Sequence, residues 1–445
     1  MSDRTHTVGI YTLGCKVNQY ESEAIAEGFT SRGFLVQSPT AVCDVYVINT
    51  CTVTAESDRK ARQFIRRAIH KNPHAFVLVT GCYAQVSASE VAGIVGVDYV
   101  CGNDEKCSVI DAACALIEQG KKPSSPIIRV HAPDACGFEE MHITRFDRTR
   151  AYIKIEDGCE NRCTYCIIPS ARGSVRSKKP QDVIAEVREL IRGGCREIVL
   201  TGIETASYGK DLDGYRLADL LEEIDRIPGI GRVRLGSLDP GLMTQEFVDR
   251  IAKLKSLTPH FHLSMQSGSD RILALMKRKY NTRMACEGVQ RLRAALPNPQ
   301  FTTDMIVGFP GETEEDFAQS MAFAREIGFL MIHVFPYSRR KGTLADTMTD
   351  QIPEDVKHTR VARLSAVAAD ARAACLAKKV GMVEEILVEG FHAGMAHGHT
   401  ADFCEVEVPV KRPPATDELI KVRILSHDGN RCRGELYFYP NAKEN

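Results

Sequence analysis

The 445-residue sequence predicts an α/β fold in three parts: an N-terminal parallel α/β domain, a central partial (β/α)6 barrel and a small C-terminal all-β domain. Three observations support this prediction. Apolar, strand-like runs alternate with helical patterns, and parallel strands require such crossovers. A stretch rich in proline, serine and charge interrupts the alternation at residues 121–148. From Val383 onward, apolar residues recur with a period of two.

These features set the domain boundaries. We place the N-terminal domain at residues 1–120, a linker at 121–148, the barrel with its connecting helix at 149–378 and the C-terminal domain at 379–445. The linker should contain one short strand, at Ile127 to Val130. The connecting helix should run from Glu354 to about Lys379.

Three strands of the N-terminal domain each end just before a cysteine. The strands are Thr7 to Thr12, Val45 to Asn49 and Ala75 to Thr80, and the cysteines are Cys15, Cys51 and Cys82. Parallel strands place their carboxyl ends at one edge of a sheet, where open α/β sheets bind ligands. We therefore predict that the three thiols converge on a [4Fe-4S] cluster. The alternative is that each thiol is a small buried hydrophobe, as free cysteines often are.

The helix after Cys51 has a basic face. An apolar stripe runs along one side, while Arg59, Arg62 and Arg66 fall on the other. Such residues usually serve only solubility. Because this face adjoins the predicted cluster edge, we consider the three arginines candidate contacts for nucleic-acid phosphates.

The central region repeats a strand and a helix six times. This pattern predicts a partial barrel whose active face is formed by the carboxyl ends of the strands. The predicted strands are Ala151 to Ile155, Glu197 to Leu200, Arg232 to Leu235, His260 to Leu263, Phe301 to Ile306 and Met331 to Phe335.

A loop with three closely spaced cysteines follows the first of these strands. Cys159, Cys163 and Cys166 form a C-x3-C-x2-C pattern with Tyr165 before the last cysteine. A structural zinc ion normally takes four protein ligands, and neither a histidine nor a fourth cysteine lies close by in the sequence. Three thiolates suit a [4Fe-4S] cluster with one iron left open to a ligand. A zinc site closed by a distant ligand is the alternative.

Several predicted strand ends are polar or rich in glycine. Glycine lets a ligand approach the backbone closely, and carboxylates or amides can bind ribose or amino-acid groups. The alternative is ordinary turn chemistry. The candidate cofactor contacts are Gly202, Glu204, Ser237 and Gln266.

The C-terminal alternation predicts a small barrel of the oligonucleotide-binding type. His392, His397 and His399 lie in a glycine-containing loop region of this domain. They could suggest a metal site, but scattered histidines in such a loop more often have no ligand.

Composition limits the choice of partner and compartment. The net charge of −1 gives no general attraction to polyanions, so any nucleic-acid contact must come from local basic patches. No run approaches the length of about 18 apolar residues that spans a membrane, and the first residues are polar. We expect a cytoplasmic protein that has neither a membrane nor DNA as its partner. The 16 cysteines are then free thiols or metal ligands.

Together these motifs resemble the methylthiotransferases of the radical S-adenosylmethionine superfamily, over nearly the whole chain. The resemblance lies in the barrel cysteines and in four further segments, and it identifies the last domain as a TRAM domain. The segments are Leu13–Glu21 (LGCKVNQYE), Asn49–Thr54 (NTCTVT), Thr80–Gln85 (TGCYAQ) and Pro336–Thr343 (PYSRRKGT). Two positions depart from the family pattern: Glu204 replaces a histidine, aspartate or asparagine, and Leu344 replaces a proline.

The resemblance implies two [4Fe-4S] clusters and S-adenosylmethionine as cofactors. It also implies a radical that removes hydrogen from C2 of an adenosine, followed by addition of a methylthio group. The physical need for a radical is clear, because a ring C–H bond is too strong and too weakly acidic for acid–base chemistry. The reaction requires an electron donor, such as flavodoxin or ferredoxin. The sequence indicates no particular sulfur source.

Within the family, the segment at Lys16 and Val17 resembles the branch that acts on threonylcarbamoyladenosine next to the anticodon of tRNA. The branch acting on isopentenyladenosine shows Gly-Cys-Gln-Met-Asn there, and the branch acting on a ribosomal-protein aspartate shows Gly-Cys-Pro-Lys-Asn. These two substrates are the alternatives within the family. A non-catalytic zinc protein that binds tRNA is the alternative from another class.

An anticodon loop presents unstacked bases, which suits recognition in a cavity. Further candidate RNA contacts are Lys277, Arg278 and Lys279, together with the C-terminal domain. The threonyl carboxylate calls for a cation, and Arg339, Arg340 and Lys341 could supply it.

Overall fold

The computed structural model describes residues 5–134, 137–146 and 148–437. Within these ranges, no helix combines the length and apolar character needed to cross a membrane.

The N-terminal unit is a six-stranded sheet in which every neighbouring pair is parallel, in the order β2-β1-β3-β4-β5-β6. Its elements are β1 (Thr7–Thr12), α1 (Lys16–Ser31), β2 (Leu35–Gln37), β3 (Val45–Thr50), α2 (Ala55–Lys71), β4 (Phe76–Gly81), α3 (Cys82–Val86), α4 (Ala88–Ala92), β5 (Tyr99–Cys101), α5 (Ser108–Gln119) and β6 (Ile127–Arg129).

This sheet confirms the predicted parallel arrangement of the cysteine-bearing strands. β1, β3 and β4 are direct neighbours, and every residue of β3 and β4 is buried. The strand predicted at Ile127 to Val130 exists as β6. It pairs with β5 and extends the N-terminal sheet, so this part of the predicted linker is built into the sheet.

The central unit consists of two parallel sheets, β11-β10-β7 and β12-β13-β14-β15. Its elements are β7 (Ala151–Lys154), β8 (Glu156–Asp157), α6 (Ile168–Arg172), β9 (Arg176–Ser177), α7 (Pro180–Arg192), β10 (Glu197–Thr201), α8 (Leu217–Asp225), β11 (Arg232–Leu235), β12 (Ser237–Leu238), α9 (Gln245–Ile251), β13 (His260–Gln266), α10 (Asp270–Leu275), α11 (Thr282–Ala295), β14 (Gln300–Val307), α12 (Glu314–Ile327), β15 (Met331–Pro336) and α13 (Glu354–Ala377).

The two sheets are joined because β11 and β12 follow one another in the chain, separated only by Gly236. The unit therefore has six strand positions, as the repeating pattern predicts. Sequence reasoning missed β8 and β9, which form a short antiparallel pair beside the cysteine loop.

The C-terminal unit is a closed five-stranded barrel in the order β16-β17-β18-β20-β19. This barrel confirms the predicted oligonucleotide-binding type of fold. Its strands are β16 (Val383–His392), β17 (Met395–Thr400), β18 (Glu405–Pro409), β19 (Leu419–His427) and β20 (Cys432–Leu436).

The N-terminal and central units share part of their core. Tyr20 on α1 is completely buried and belongs to the apolar core of the central barrel. Its hydroxyl donates to the Met141 carbonyl at 2.6 Å and lies 3.0 Å from Glu186 Oε1. The first helix therefore brings the start of the chain against the barrel.

Candidate active site

The barrel cysteines lie on the loop between β8 and α6. All three line one cavity of about 130 Å³, together with residues from the ends of several strands. The loop requires glycine at position 158, where φ is +87° and an added Cβ would lie 1.8 Å from the Ser174 carbonyl oxygen. The chain therefore turns tightly just before Cys159.

Polar groups contact each sulfur of this loop. Arg278 Nη1 donates to Cys163 Sγ at 3.2 Å, and the Ile168 amide donates to Cys166 Sγ at 3.4 Å. The Cys159 thiol lies 3.5 Å from Glu204 Oε2. Three sulfur donors at one cavity, two of them receiving N–H groups, form a donor set that fits an iron–sulfur cluster.

Three of the four predicted cofactor contacts line this cavity: Glu204, Ser237 and Gln266. Gly202 is not among the lining residues, and an added Cβ there would lie 2.5 Å from Glu156 Oε2. The glycine therefore makes room for a protein side chain.

Sequence reasoning missed other polar residues of the cavity wall, among them Asp239 and Ser264, and it did not predict that Arg278 lines the cavity. Arg278 was predicted to contact RNA. Its side chain is only 9% exposed and points inward to Cys163, with Asp239 Oδ2 at 3.2 Å. That prediction is corrected, because the guanidinium faces the cysteines.

The N-terminal cysteines lie at the carboxyl ends of three adjacent strands. Cys15 precedes α1, Cys51 follows β3 and Cys82 begins α3. The loop at Cys15 passes close to Cys51, since a Cβ added to Gly14 would lie 3.0 Å from Cys51 Sγ. Burial is the largest cause of the raised pKa of Cys51, and the charge of Cys82 raises it further.

Burial keeps several of these thiols uncharged in the absence of a metal. It raises the pKa of Cys51 and that of Cys166 to about 11 each. Metal coordination would remove these protons, because iron stabilises the thiolate form.

Among the described residues, no group of three or more His, Cys, Asp and Glu side chains has the geometry to hold a single metal ion.

The two cysteine groups approach each other through α6. Arg172 ends this helix, and its Nε lies 3.4 Å from Cys82 Sγ. Helix α6 begins two residues after Cys166 and packs against α3, which begins at Cys82. The N-terminal and barrel cysteines thus lie on facing sides of one interface.

The predicted RNA contacts on the surface differ in whether their charged groups already have partners within the protein. Arg59 is paired with Glu56, and Arg62 contacts Tyr83 and Glu90. In the described part of the chain, the exposed side chains Arg66, Lys277 and Lys279 have no ion pair. These three are better placed to contact an RNA phosphate.

Two of the three cations predicted to bind the substrate carboxylate already pair with groups of the protein. Arg340 is buried between Asp58 and Thr52 of the N-terminal unit, and Arg339 pairs with Asp346 at 2.6 Å. Lys341 is exposed. Arg340 therefore joins two units of the protein, which corrects its assignment as a substrate contact.

Lys16 is a cation that sequence reasoning did not assign to the substrate. It is exposed directly after Cys15 and has no ion pair within the described ranges. Although the side chain reaches solvent, the surrounding protein partly desolvates the ammonium group and lowers the pKa of Lys16; Arg234 lowers it further, while Asp304 opposes the shift. Because Arg234 and Asp304 belong to β11 and β14, Lys16 lies near the inner strands of the barrel.

Sequence profiles match two regions of the chain. The profile described as Radical SAM superfamily matches residues 153–324, and the one described as Uncharacterized protein family UPF0004 matches residues 7–102.

Two curated proteins are similar over most of their length. The threonylcarbamoyladenosine tRNA methylthiotransferase MtaB of Bacillus subtilis (strain 168) is 45% identical over 364 residues, which covers 81% of this chain and 80% of the relative. The tRNA-2-methylthio-N(6)-dimethylallyladenosine synthase of Clostridium botulinum (strain Langeland) is 34% identical over 395 residues, which covers 86% and 87%.

Among solved structures, the fold is similar to the radical S-adenosylmethionine methyltransferase TsrM from Kitasatospora setae, with cobalamin and a [4Fe-4S] cluster bound. The TM-score is 0.55, with 15% identity and 75% of each chain covered. At this identity the likeness concerns the fold alone.

Proposed function

This chain belongs to the methylthiotransferases of the radical S-adenosylmethionine superfamily, and on that premise we propose that it adds a methylthio group to C2 of N6-threonylcarbamoyladenosine next to the anticodon of tRNA. The observation that carries the proposal is the position of α6, which follows the barrel cysteines directly and whose last residue, Arg172, contacts Cys82 of the N-terminal group. A radical and a sulfur source must reach the same carbon, and this arrangement brings both cysteine groups to one interface. The greater identity to the threonylcarbamoyladenosine enzyme supports the choice of substrate.

We propose that Cys159, Cys163 and Cys166 hold one [4Fe-4S] cluster and that Cys15, Cys51 and Cys82 hold the other. When bound, the barrel cluster would supply the electron that cleaves S-adenosylmethionine, and the N-terminal cluster would carry the sulfur for transfer. The protein's own contribution is to position both groups and to keep water away from them.

The cavity residues have separate tasks in this proposal. Glu204, Ser237 and Gln266 would hold polar groups of S-adenosylmethionine, since all three line the cavity of the barrel cysteines. Arg278 would offset the negative charge of the Cys163 thiolate. The electron would come from a small redox protein such as flavodoxin or ferredoxin.

Lys16 is our candidate for binding the threonyl carboxylate. It follows Cys15 directly and lies near Arg234 of β11 and Asp304 of β14, so its ammonium group faces the inner strands of the barrel beside the N-terminal cysteines. An anionic substrate would also stabilise a lysine whose charge is disfavoured in the free protein. Lys341 is the second candidate, because it is exposed on the loop after β15.

The decisive test is nucleoside mass spectrometry of tRNA from cells lacking the gene and from complemented cells. We expect 2-methylthio-threonylcarbamoyladenosine to disappear and return. Loss of the isopentenyl derivative, or of a ribosomal-protein aspartate modification, with the threonylcarbamoyl product unchanged would contradict the substrate assignment.

Two triple variants test the two cysteine groups. Replacing either triad by alanine should leave about half the iron, because neither site supplies ligands to the other.

The Cys15, Cys51 and Cys82 variant should still cleave S-adenosylmethionine under a strong reductant but make no methylthio product. Stoichiometric zinc in anaerobically purified protein would instead support the zinc alternative.

Lys16→Gln tests the carboxylate contact. We expect KM for tRNA carrying threonylcarbamoyladenosine to rise about tenfold, as loss of one charge-assisted contact predicts, with iron content unchanged. Lys341→Gln tests the second candidate in the same assay. A larger effect of Lys341→Gln would transfer the role to that residue.

A further inference from the structure

Arg172 occupies the space between the two cysteine groups. It is the last residue of α6, six positions after Cys166, and it is completely buried. Besides its contact with Cys82, its Nη1 lies 2.9 Å from both oxygens of Asp157, and its Nη2 lies 2.7 Å from Asn18 Oδ1. Nη1 is also 2.9 Å from Glu21 Oε1.

These contacts reach the segments that carry both triads. Asp157 lies two residues before Cys159, and its Oδ1 accepts from the Gly158 amide at 2.8 Å. Asn18 and Glu21 lie on α1, which begins directly after Cys15. One guanidinium thus joins the barrel loop, the start of α1 and the sulfur of Cys82.

The ionised groups around Arg172 carry a net positive charge, which a thiolate could neutralise. Direct ion pairs join the carboxylates of Glu21 and Asp157 to three cations, Lys106, Lys154 and Arg172. One positive charge remains in a region shielded from water, where an unbalanced charge is costly. Two carboxylates beside this set, Glu139 and Glu156, each have a pKa that burial raises. A negative charge on Cys82 would complete the balance.

Asn103 supplies a second N–H to the same sulfur. Its Nδ2 lies 3.6 Å from Cys82 Sγ and 2.8 Å from the Ala171 carbonyl oxygen. The Ala171 carbonyl, next to Arg172 in the chain, therefore helps to orient the neutral Asn103 amide toward Cys82. Neutral donors stabilise negative charge less than a guanidinium does.

We infer that Arg172 is a positioning residue that donates a charge-assisted hydrogen bond to the Cys82 thiolate and so raises the reduction potential of the N-terminal cluster. Hydrogen bonds to cluster sulfurs stabilise the more negative, reduced state. The inference rests on the proposed function, in which Cys82 is a cluster ligand. It assigns Arg172 no part in holding iron.

The test is a potentiometric titration of the reconstituted holoenzyme, followed by electron paramagnetic resonance. The N-terminal signal is identified by its absence from the Cys15, Cys51 and Cys82 alanine variant. Arg172→Lys keeps the charge that Glu21 and Asp157 need but loses the planar group that reaches Cys82. We expect the N-terminal potential to become more negative, with the barrel potential unchanged. Asn103→Leu should shift the same signal in the same direction by a smaller amount.

Arg176→Lys is the matched control. Arg176 lies four residues away and contacts the Pro133 carbonyl and Asp104, and it has no contact with a cysteine in the described structure. An unchanged N-terminal potential in Arg172→Lys, or an equal shift in Arg176→Lys, would overturn the inference. Loss of N-terminal iron from Arg172→Lys would also overturn it, because the residue would then be needed for the fold of the site. Wild-type holoenzyme with a single cluster would overturn the proposed function itself.

Discussion

The central barrel contacts the N-terminal unit and the C-terminal unit through two buried networks of charged side chains. The two networks differ in their net charge and in the residues that they contact. The N-terminal junction, formed by Glu21, Lys106, Lys154, Asp157 and Arg172, touches the sulfur of Cys82 and has more cations than carboxylates. Its side chains are at most 4% exposed. Because this junction contacts Cys82 and carries one excess positive charge, it is suited to stabilise a thiolate at that residue.

The C-terminal junction joins Arg150, Glu197, Arg234 and Glu389 and lies beside the aromatic ring of Phe403. Arg150 bridges Glu197 and Glu389 at 2.5 and 2.6 Å, and Arg234 reaches Glu197 at 2.8 Å. The ring of Phe403 stacks on two histidines, with centroids 4.7 Å from His260 and 4.6 Å from His399. Each of these arginines has a carboxylate partner, and no cysteine sulfur within the described ranges contacts their charged groups, so this junction is a structural joint.

The largest effect should come from Glu21→Gln. The substitution leaves Lys106, Lys154 and Arg172 with one buried carboxylate, and breaking such a network costs about 3–5 kcal/mol. We expect a large fall in the thermal midpoint together with reduced iron in the N-terminal site. Glu118→Gln, at an exposed position of α5, is the control and should change little. Full iron in a strongly destabilised Glu21→Gln would show that this junction acts only on the fold.

Glu197→Gln should cost about 3 kcal/mol, because the buried Arg234 loses its carboxylate partner while Arg150 keeps Glu389 and Arg232 keeps Glu385. The expected result is a lower thermal midpoint with iron content and cluster spectra unchanged. If Glu197→Gln lost iron as Glu21→Gln should, the distinction between the two junctions would be wrong.

Phe403→Ala should destabilise the contact of the C-terminal barrel by about 1–2 kcal/mol, through loss of the histidine stacking and of the Arg234 guanidinium 4.8 Å from the ring. Phe391→Ala is the matched control, since Phe391 is 41% exposed in the same unit. Limited proteolysis between α13 and β16 measures the effect. Equal sensitivity of both variants would contradict the structural role of Phe403.

The smallest effect concerns acid pH. Burial alone would raise the pKa of Glu389, but hydrogen bonds and charges from His399 and Arg150 outweigh it and lower the pKa to about 2. A carboxylate with a depressed folded-state pKa contributes stability above its unfolded pKa of about 4.3, and this is lost as the pH falls toward the folded pKa. The difference in thermal midpoint between wild type and Glu389→Gln should therefore shrink as the pH falls below about 4. A difference that is constant with pH would show that the ion pair is not the cause.

The sequence by itself determined the three-part architecture and the positions of both cysteine groups along it. Parallel strands have their carboxyl ends at one edge, so Cys15, Cys51 and Cys82 could be brought together from strand patterns alone. The spacing of Cys159, Cys163 and Cys166 is local and needs no tertiary information. The role of all six as ligands stays a prediction, because their placement in the fold does not itself test metal binding.

Tertiary structure alone decided what the long cationic side chains do. Arg278 and Arg340 lie in sequence segments that resemble exposed basic loops, yet one reaches Cys163 and the other Asp58 of a different unit. Arg172 follows the cysteine loop without any pattern that would indicate its contacts with Cys82 and Glu21. The physical reason is that a guanidinium at the end of a long flexible stem can face solvent or a partner distant in sequence. Only the packing of one unit against another selects between them.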